Sequence, residues 1–237
     1  MNILITICAR AGSKGLPGKH TKYMNDKPLI EWTMNHALDF INFFGRILTH
    51  KIRVVVCSDD KRAIELARTK EIPFMTRPKE LCGDDIGKLD VISHIFKAQK
   101  NMFGFDADYI IDLDATNPLR RVRFIADAFH LAHDRNCTVL SATPARKNPF
   151  FNQVFKPDDE YRLVKSGLPV LARQNAPVVY DLNASIGVFP YWQLEKGKET
   201  ATEPGFVIYE MPYWAAFDID NAVDFDIVEL LQEKYLL

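Results

Sequence analysis

The sequence predicts an α/β fold, a mainly parallel sheet flanked by helices and interrupted by a smaller β-rich insertion, on three observations. Short apolar runs alternate with longer amphipathic stretches over residues 1–143, as parallel strands joined by crossover helices require. From Pro144 to about Gly205 helical periodicity fades and Pro, Gly and aromatic residues punctuate short runs. The α/β character then returns at residues 206–237. A chain of 237 residues, 47% hydrophobic and 26% charged, is longer than an average domain and ordinary in composition. One α/β unit (1–143 plus 206–237) carrying an inserted segment (144–205) fits it best.

The predicted strands are Ile3–Ala9, Val54–Ser58, Tyr109–Leu113, Thr138–Ala142 and Phe206–Met211. Between them, apolar residues recur at three- and four-residue intervals over Leu29–Phe40, Arg62–Thr69, Leu89–Asn101 and Phe124–Asp134, and a last helix runs from Ala222 to Tyr235. Asp59 and Asp60 precede the second helix as cap candidates. In the insertion, Asn152–Lys156 and Tyr161–Lys165 flank the polar stretch 157–160, a hairpin pattern. A β-rich insertion of this size needs a cover for its apolar side, and a second copy of the same element would supply one, so a homodimer is expected.

Thirty Lys+Arg against 31 Asp+Glu leave a formal charge of −1. No global basic excess exists to neutralise a nucleic-acid backbone or an anionic membrane, so neither partner is expected and any phosphate binding must be local. The apolar run at residues 1–9 ends at Arg10, too short for a membrane span. Cys8, Cys57, Cys82 and Cys137 form no C-x-x-C pair, against a zinc or redox motif and in favour of the cytoplasm.

The stretch Ala9–Lys19 follows the first strand directly. Three glycines permit close backbone approach to an anion, and Arg10, Lys14 and Lys19 bring three cations to one loop. It matches neither the G-x-x-x-x-G-K-[ST] phosphate loop nor G-x-G-x-x-G. Two D-x-D pairs come next, Asp112-Leu113-Asp114 and Asp218-Ile219-Asp220. In extended chain, residues i and i+2 share a face, so either pair can offer two hard oxygens to Mg²⁺. Each also has a competing use: Asp220 as a helix cap beside Asn221, Asp114 in a turn with Thr116, Asn117 and Pro118. Arg173-Gln174 and Arg146-Lys147 lie in the insertion, where a guanidinium could hold a carboxylate bidentately.

Together these residues resemble the cytidylyltransferases that make CMP-activated nonulosonic acids, the family of CMP-sialic acid synthetase. Ala9–Lys19 matches the A-R-x-x-S-K-G…K nucleotide loop, Leu113–Arg120 matches L-Q-P-T-S-P-L-R, Arg173…Asn183 matches R-Q-x-x-P…N, and Phe217–Asp220 matches the metal-binding I-D-I-D. The anchors run from first strand to last helix in family order. The resemblance implies a Rossmann-like nucleotidyltransferase sheet and a reaction joining CTP to a nine-carbon nonulosonic acid with Mg²⁺ as cofactor. It implies nucleotide binding by Arg10, Ala11, Gly12, Ser13, Lys14, Lys19, His20, Arg77 and Asp84, with Arg10, Lys14 and Lys19 acting on the phosphates. It implies Mg²⁺ at Asp218 and Asp220, and sugar-acid contacts from Asp114, Lys147, Arg173, Gln174 and Asn183.

The departures point to a branch. Asp114 stands where the family usually has glutamine, Asn183-Ala184-Ser185 where it has N-G-A, and Gly187-Val188 where relatives often carry an aromatic residue. The segments 112–120, 144–152 and 180–186 look most like the CMP-legionaminic acid synthetases. A carboxylate at 114 would suit a substrate donor such as an amide N–H. An eight-carbon ulosonate cytidylyltransferase shares the reaction but leaves the Arg173–Ile186 matches unexplained. A silent nucleotide-binding relative fits poorly with an intact basic loop and D-x-D, and a glycosyltransferase fits poorly with three clustered cations.

Overall fold

The computed structural model describes residues 1–44, 50–83, 85–167, 170–197 and 200–236. Its core is a seven-stranded sheet built from β1 (Asn2–Ala9), β4 (Lys51–Ser58), β5 (Phe74–Thr76), β6 (Tyr109–Leu113), β7 (Val139–Pro144), β10 (Tyr180–Pro190) and β11 (Val207–Glu210). Two short pairs stand outside it: β2 (Tyr23–Met24) with β3 (Lys27–Pro28), and β8 (Val154–Phe155) with β9 (Arg162–Leu163). The helices are α1 (Leu29–Phe44), α2 (Lys61–Thr69), α3 (Lys88–Phe103), α4 (Val122–Arg135), α5 (Tyr191–Glu195) and α6 (Ala222–Tyr235).

The sheet order is β11-β7-β10-β6-β1-β4-β5. All neighbours pair in parallel except β10, which runs antiparallel to both β6 and β7. Because the central strands are covered on both faces, β1 buries Ile3, Leu4, Ile5 and Ile7 fully without alternation, with Thr6 buried among them. Chain order leaves β1 in opposite directions, to β4 on one side and β6 on the other. That reversal is the switch point at whose carboxyl ends open α/β sheets form a crevice.

α1 extends four residues past its predicted end because Phe40 and Phe44 stack at 4.5 Å in the core. Asp60 caps α2, its Oδ1 accepting from the Arg62 amide at 2.9 Å, while Asp59 accepts instead from the Ala11 amide at 2.7 Å. The hairpin expected at 152–165 is present as β8 and β9.

β10 was not foreseen as a strand of the main sheet. Residues 180–190 lie within the 144–205 segment, yet their backbone pairs with β6 and β7, so they form part of the α/β unit's own sheet. What leaves the sheet is the excursion between β7 and β10. β10's register shifts between Leu182 and Gly187. Within that irregularity Ala184 adopts a φ of 53°, in the left-handed region.

Candidate active site

The basic loop is anchored at both ends. Its first residue, Arg10, follows β1 directly, and its last, Lys19, donates from Nζ to the carbonyl of Ile219 at 2.6 Å and lies 3.4 Å from Asp220 Oδ1. Between them, Gly15 packs so closely on the second D-x-D segment that a Cβ there would sit 2.2 Å from the carbonyl oxygen of Asp220. The loop and the aspartates, 200 residues apart in sequence, are thus one assembly.

The segment after β6 positions the same aspartates from the other side. Ile219 donates its amide to the Thr116 carbonyl at 3.1 Å, and Asn117 Nδ2 donates to the carbonyl of Phe217 at 2.9 Å. Arg120, fully buried, donates to the carbonyls of Asp114 and Asn117 and to Ser185 Oγ of β10. Burial lowers its pKa to about 10, which still leaves it charged at neutrality.

The two D-x-D pairs part company in this geometry. Asp112 accepts from Thr6 Oγ1 at 2.8 Å, and both Asp112 and Asp114 lie 2.7 Å from the Lys88 ammonium. Asp114 Oδ1 also takes the amide and hydroxyl of Thr116, at 2.8 and 2.6 Å. Burial works against its ionisation, but Lys88 and Thr116 override it and hold the carboxyl well below the usual range. Asp218 behaves oppositely: burial, then the charges of Asp220 and Asp114, push it up to about 6. The competing cap role of Asp220 is not used, since Asn221 caps α6 by accepting from the Val223 and Asp224 amides at 2.8 and 3.0 Å. Asp220 has the Lys19 ammonium at 3.4 Å, whereas Asp112 and Asp114 share that of Lys88 at 2.7 Å, so Asp218–Asp220 is the less tightly neutralised pair.

A polar cleft of about 290 Å³ lies at the switch point, lined by Arg10, Lys19, His20, Arg77, Asp114, Asp218 and Asp220 together with Cys8, Lys88 and Thr116. An adjoining hollow of about 310 Å³ is lined by Arg10, Ser13, Lys14, Gly15, Lys19, His20 and Asp220. His20 is buried, with Nδ1 3.2 Å from the Arg10 carbonyl, and burial lowers its pKa. Arg77 is buried, with Nε donating to the Leu81 carbonyl at 2.7 Å.

Of the predicted nucleotide residues, Ala11 and Gly12 are exposed at the loop's outer turn and line neither hollow. Asp84 lies outside the described residues. Of the predicted sugar residues, only Asp114 reaches the cleft. Lys147, Arg173 and Gln174 are exposed on the excursion between β7 and β10, where Arg173 Nη2 donates to the Arg146 carbonyl at 3.2 Å. Asn183 is buried, and its carboxamide is used internally: Oδ1 accepts from Ser141 Oγ at 2.6 Å and from the Ser185 amide at 3.2 Å. In this chain it shapes the β10 irregularity and offers no free carboxamide to a ligand. Sequence reading missed Lys88, which carries no motif and is visible only once α3 starts beside the end of β6.

The whole chain is similar to known proteins. The family profile described as cytidylyltransferase matches residues 4–199. The chain is 33% identical to the post-translational flagellin modification protein B of Campylobacter coli, covering 99% of this chain and 97% of that one. It is also 33% identical to the CMP-N,N'-diacetyllegionaminic acid synthase of Campylobacter jejuni, covering 97% and 94%. The N-acylneuraminate cytidylyltransferase of Escherichia coli is 25% identical over 98% of this chain and 52% of its own length. Among solved structures, a CMP:2-keto-3-deoxy-manno-octonic acid synthetase complexed with CTP shares the fold with a TM-score of 0.68 at 17% identity, over the full length of both chains. With an anchored basic loop and the Asp218–Asp220 carboxylates on one switch-point cleft, and a family match over most of its length, the chain belongs to the cytidylyltransferase family.

Proposed function

We propose that the protein joins CTP to a nine-carbon nonulosonic acid of the legionaminic or N-acetylneuraminic type, releasing pyrophosphate and forming the CMP-sugar. The observation that carries the reading is the contact of Gly15 and Lys19 with the Asp218–Asp220 segment, which sets three cations and two carboxylates around the cleft and the hollow beside it. Full-length similarity to the diacetyllegionaminic acid synthases supports the acylated branch.

In this reading the sugar's C2 hydroxyl attacks the α-phosphorus, the new P–O bond forms and the bond to the β-phosphate breaks. Arg10, Lys14 and Lys19 hold the triphosphate and take up the charge that builds on the departing pyrophosphate. His20 and Arg77, both buried in the lining of the cleft, are assigned to the nucleoside. Asp218 and Asp220 fit Mg²⁺: they offer two hard oxygens, and burial together with the charges of Asp220 and Asp114 raises the proton affinity of Asp218, a cost that a bound cation would relieve. When bound, Mg²⁺ would neutralise phosphate charge and favour the alkoxide. The hydroxyl proton leaves to the carboxylates at this end of the cleft.

Lys147, Arg173 and Gln174 are exposed and do not line the cleft of their own chain, so we assign their role in sugar binding to a second copy. The excursion carries exposed Val154, Phe155, Tyr161, Leu171 and Val178, an apolar surface suited to a homodimer contact. Four free thiols and the lack, among the described residues, of any helix long and apolar enough to cross a membrane support a cytoplasmic setting.

The test is Asp220→Ala. Because Asn221 caps α6, this variant should fold as the wild type does and lose turnover. A folded variant with full activity would remove Asp220 from the chemistry.

A further inference from the structure

Lys88 opens α3 and stands between two cavities of opposite character. On one side is the polar cleft. On the other is a cavity of about 210 Å³ whose walls are mainly apolar, among them Ile92, Leu140, Ile186 and Phe189. Lys88 lines both.

The carboxylate at 114, which the sequence suggested as an acceptor for a substrate N–H, already accepts three hydrogen bonds. One oxygen takes both Thr116 donors and the other takes Lys88. Asp112 is held by Thr6 and Lys88. What this corner offers a ligand is therefore a cation. An ammonium has three N–H groups, of which two meet Asp112 and Asp114, and the Lys88 side chain remains 37% exposed. Burial opposes its charge, but the two aspartates outweigh burial and keep it protonated well above the ordinary lysine range.

We propose that Lys88 is a specificity-determining residue for the sugar acid, its ammonium donating to the carbonyl oxygen of an N-acyl group whose alkyl end fills the adjoining apolar cavity. The proposal rests on the nonulosonate cytidylyltransferase reading. An acyl amide supplies both halves of what the site presents, an acceptor for the cation and an apolar end for the cavity. A hydroxyl supplies only the acceptor. A free amine, protonated at neutral pH, would set a cation beside Lys88 and a charge against apolar walls.

Pyrophosphate release at saturating CTP and Mg²⁺ should be compared for three forms of one nine-carbon acid: N-acetyl, N-propanoyl and free amine. The wild type should prefer the N-acetyl acid over the free amine by about tenfold or more in kcat/KM, the scale of a hydrogen bond to a charged donor. Lys88→Met should lose that preference, so that kcat/KM for the N-acetyl and free-amine acids converges. Since Lys88→Met leaves two carboxylates unpaired, Ala201→Leu provides a second probe. Ala201 lines the apolar cavity away from the ion cluster, and its enlargement should penalise the N-propanoyl acid more than the free amine. Equal use of acylated and free-amine acids by the wild type would overturn the proposal, as would an acyl preference retained in Lys88→Met. No turnover with any of the three would overturn the underlying activity as well, whereas turnover without acyl preference overturns this proposal alone.

Discussion

Ala184 holds a left-handed φ of 53° where the resembling family has glycine, and it does so on the wall of the apolar cavity. A Cβ in that region costs about 1–2 kcal/mol, partly offset by the lower chain entropy of alanine in the unfolded state. Ala184→Gly should therefore raise stability by up to about 1 kcal/mol in urea denaturation; a clear loss would mean that the methyl packs usefully. Asp218 gives a second prediction at this scale. Its pKa of about 6 in the folded chain, against an ordinary 3.8, means that the folded state binds more protons between those values. Through this group, stability falls as pH rises across that window, while the deprotonated form that a divalent cation needs becomes available. The gain in melting temperature on adding Mg²⁺ should grow from pH 5 to pH 7. A gain that is flat or shrinks over that range would contradict the assignment.

At the scale of elements, the account turns on two segments packed without a gap. Gly15→Ala would place a methyl 2.2 Å from the Asp220 carbonyl, a contact only backbone movement can relieve. The variant should keep its sheet, with far-ultraviolet circular dichroism unchanged, and lose most of its CTP turnover; wild-type kcat/KM would show that loop and aspartates need not touch. The same scale explains what was legible in the sequence. β1, β4 and β6 each carry a short run of buried apolar residues, at 3–5, 54–57 and 109–111, and the loop after β1 announces itself by composition. The choice of Asp218–Asp220 over Asp112–Asp114 needed the family resemblance, because spacing is identical in both. The structural reason is Lys88, a partner 24 residues from Asp112 that no local pattern reveals. β10 was hidden because Asn183, Ala184, Ser185 and Gly187 break its alternation, and its stability comes from pairing with β6 and β7 on either side.

For the whole molecule, the predicted sugar residues divide between the cleft, which holds Asp114, and the exposed excursion, which holds Lys147, Arg173 and Gln174. If a second copy brings the excursion to the cleft, Arg173→Ala and Asp220→Ala should each be inactive alone and regain activity when mixed and allowed to exchange subunits. Mixed variants that stay inactive after exchange would place the Arg173 contribution within its own chain. Pyrophosphate release from CTP and Mg²⁺ with purified protein, run in parallel with legionaminic, N-acetylneuraminic, pseudaminic and eight-carbon ulosonic acids, decides whether this chain is a nonulosonate cytidylyltransferase. Release with an N-acylated nine-carbon acid should stand well above that with the eight-carbon acid. Preference for the eight-carbon acid, or silence with all four despite measurable CTP binding, would contradict that assignment.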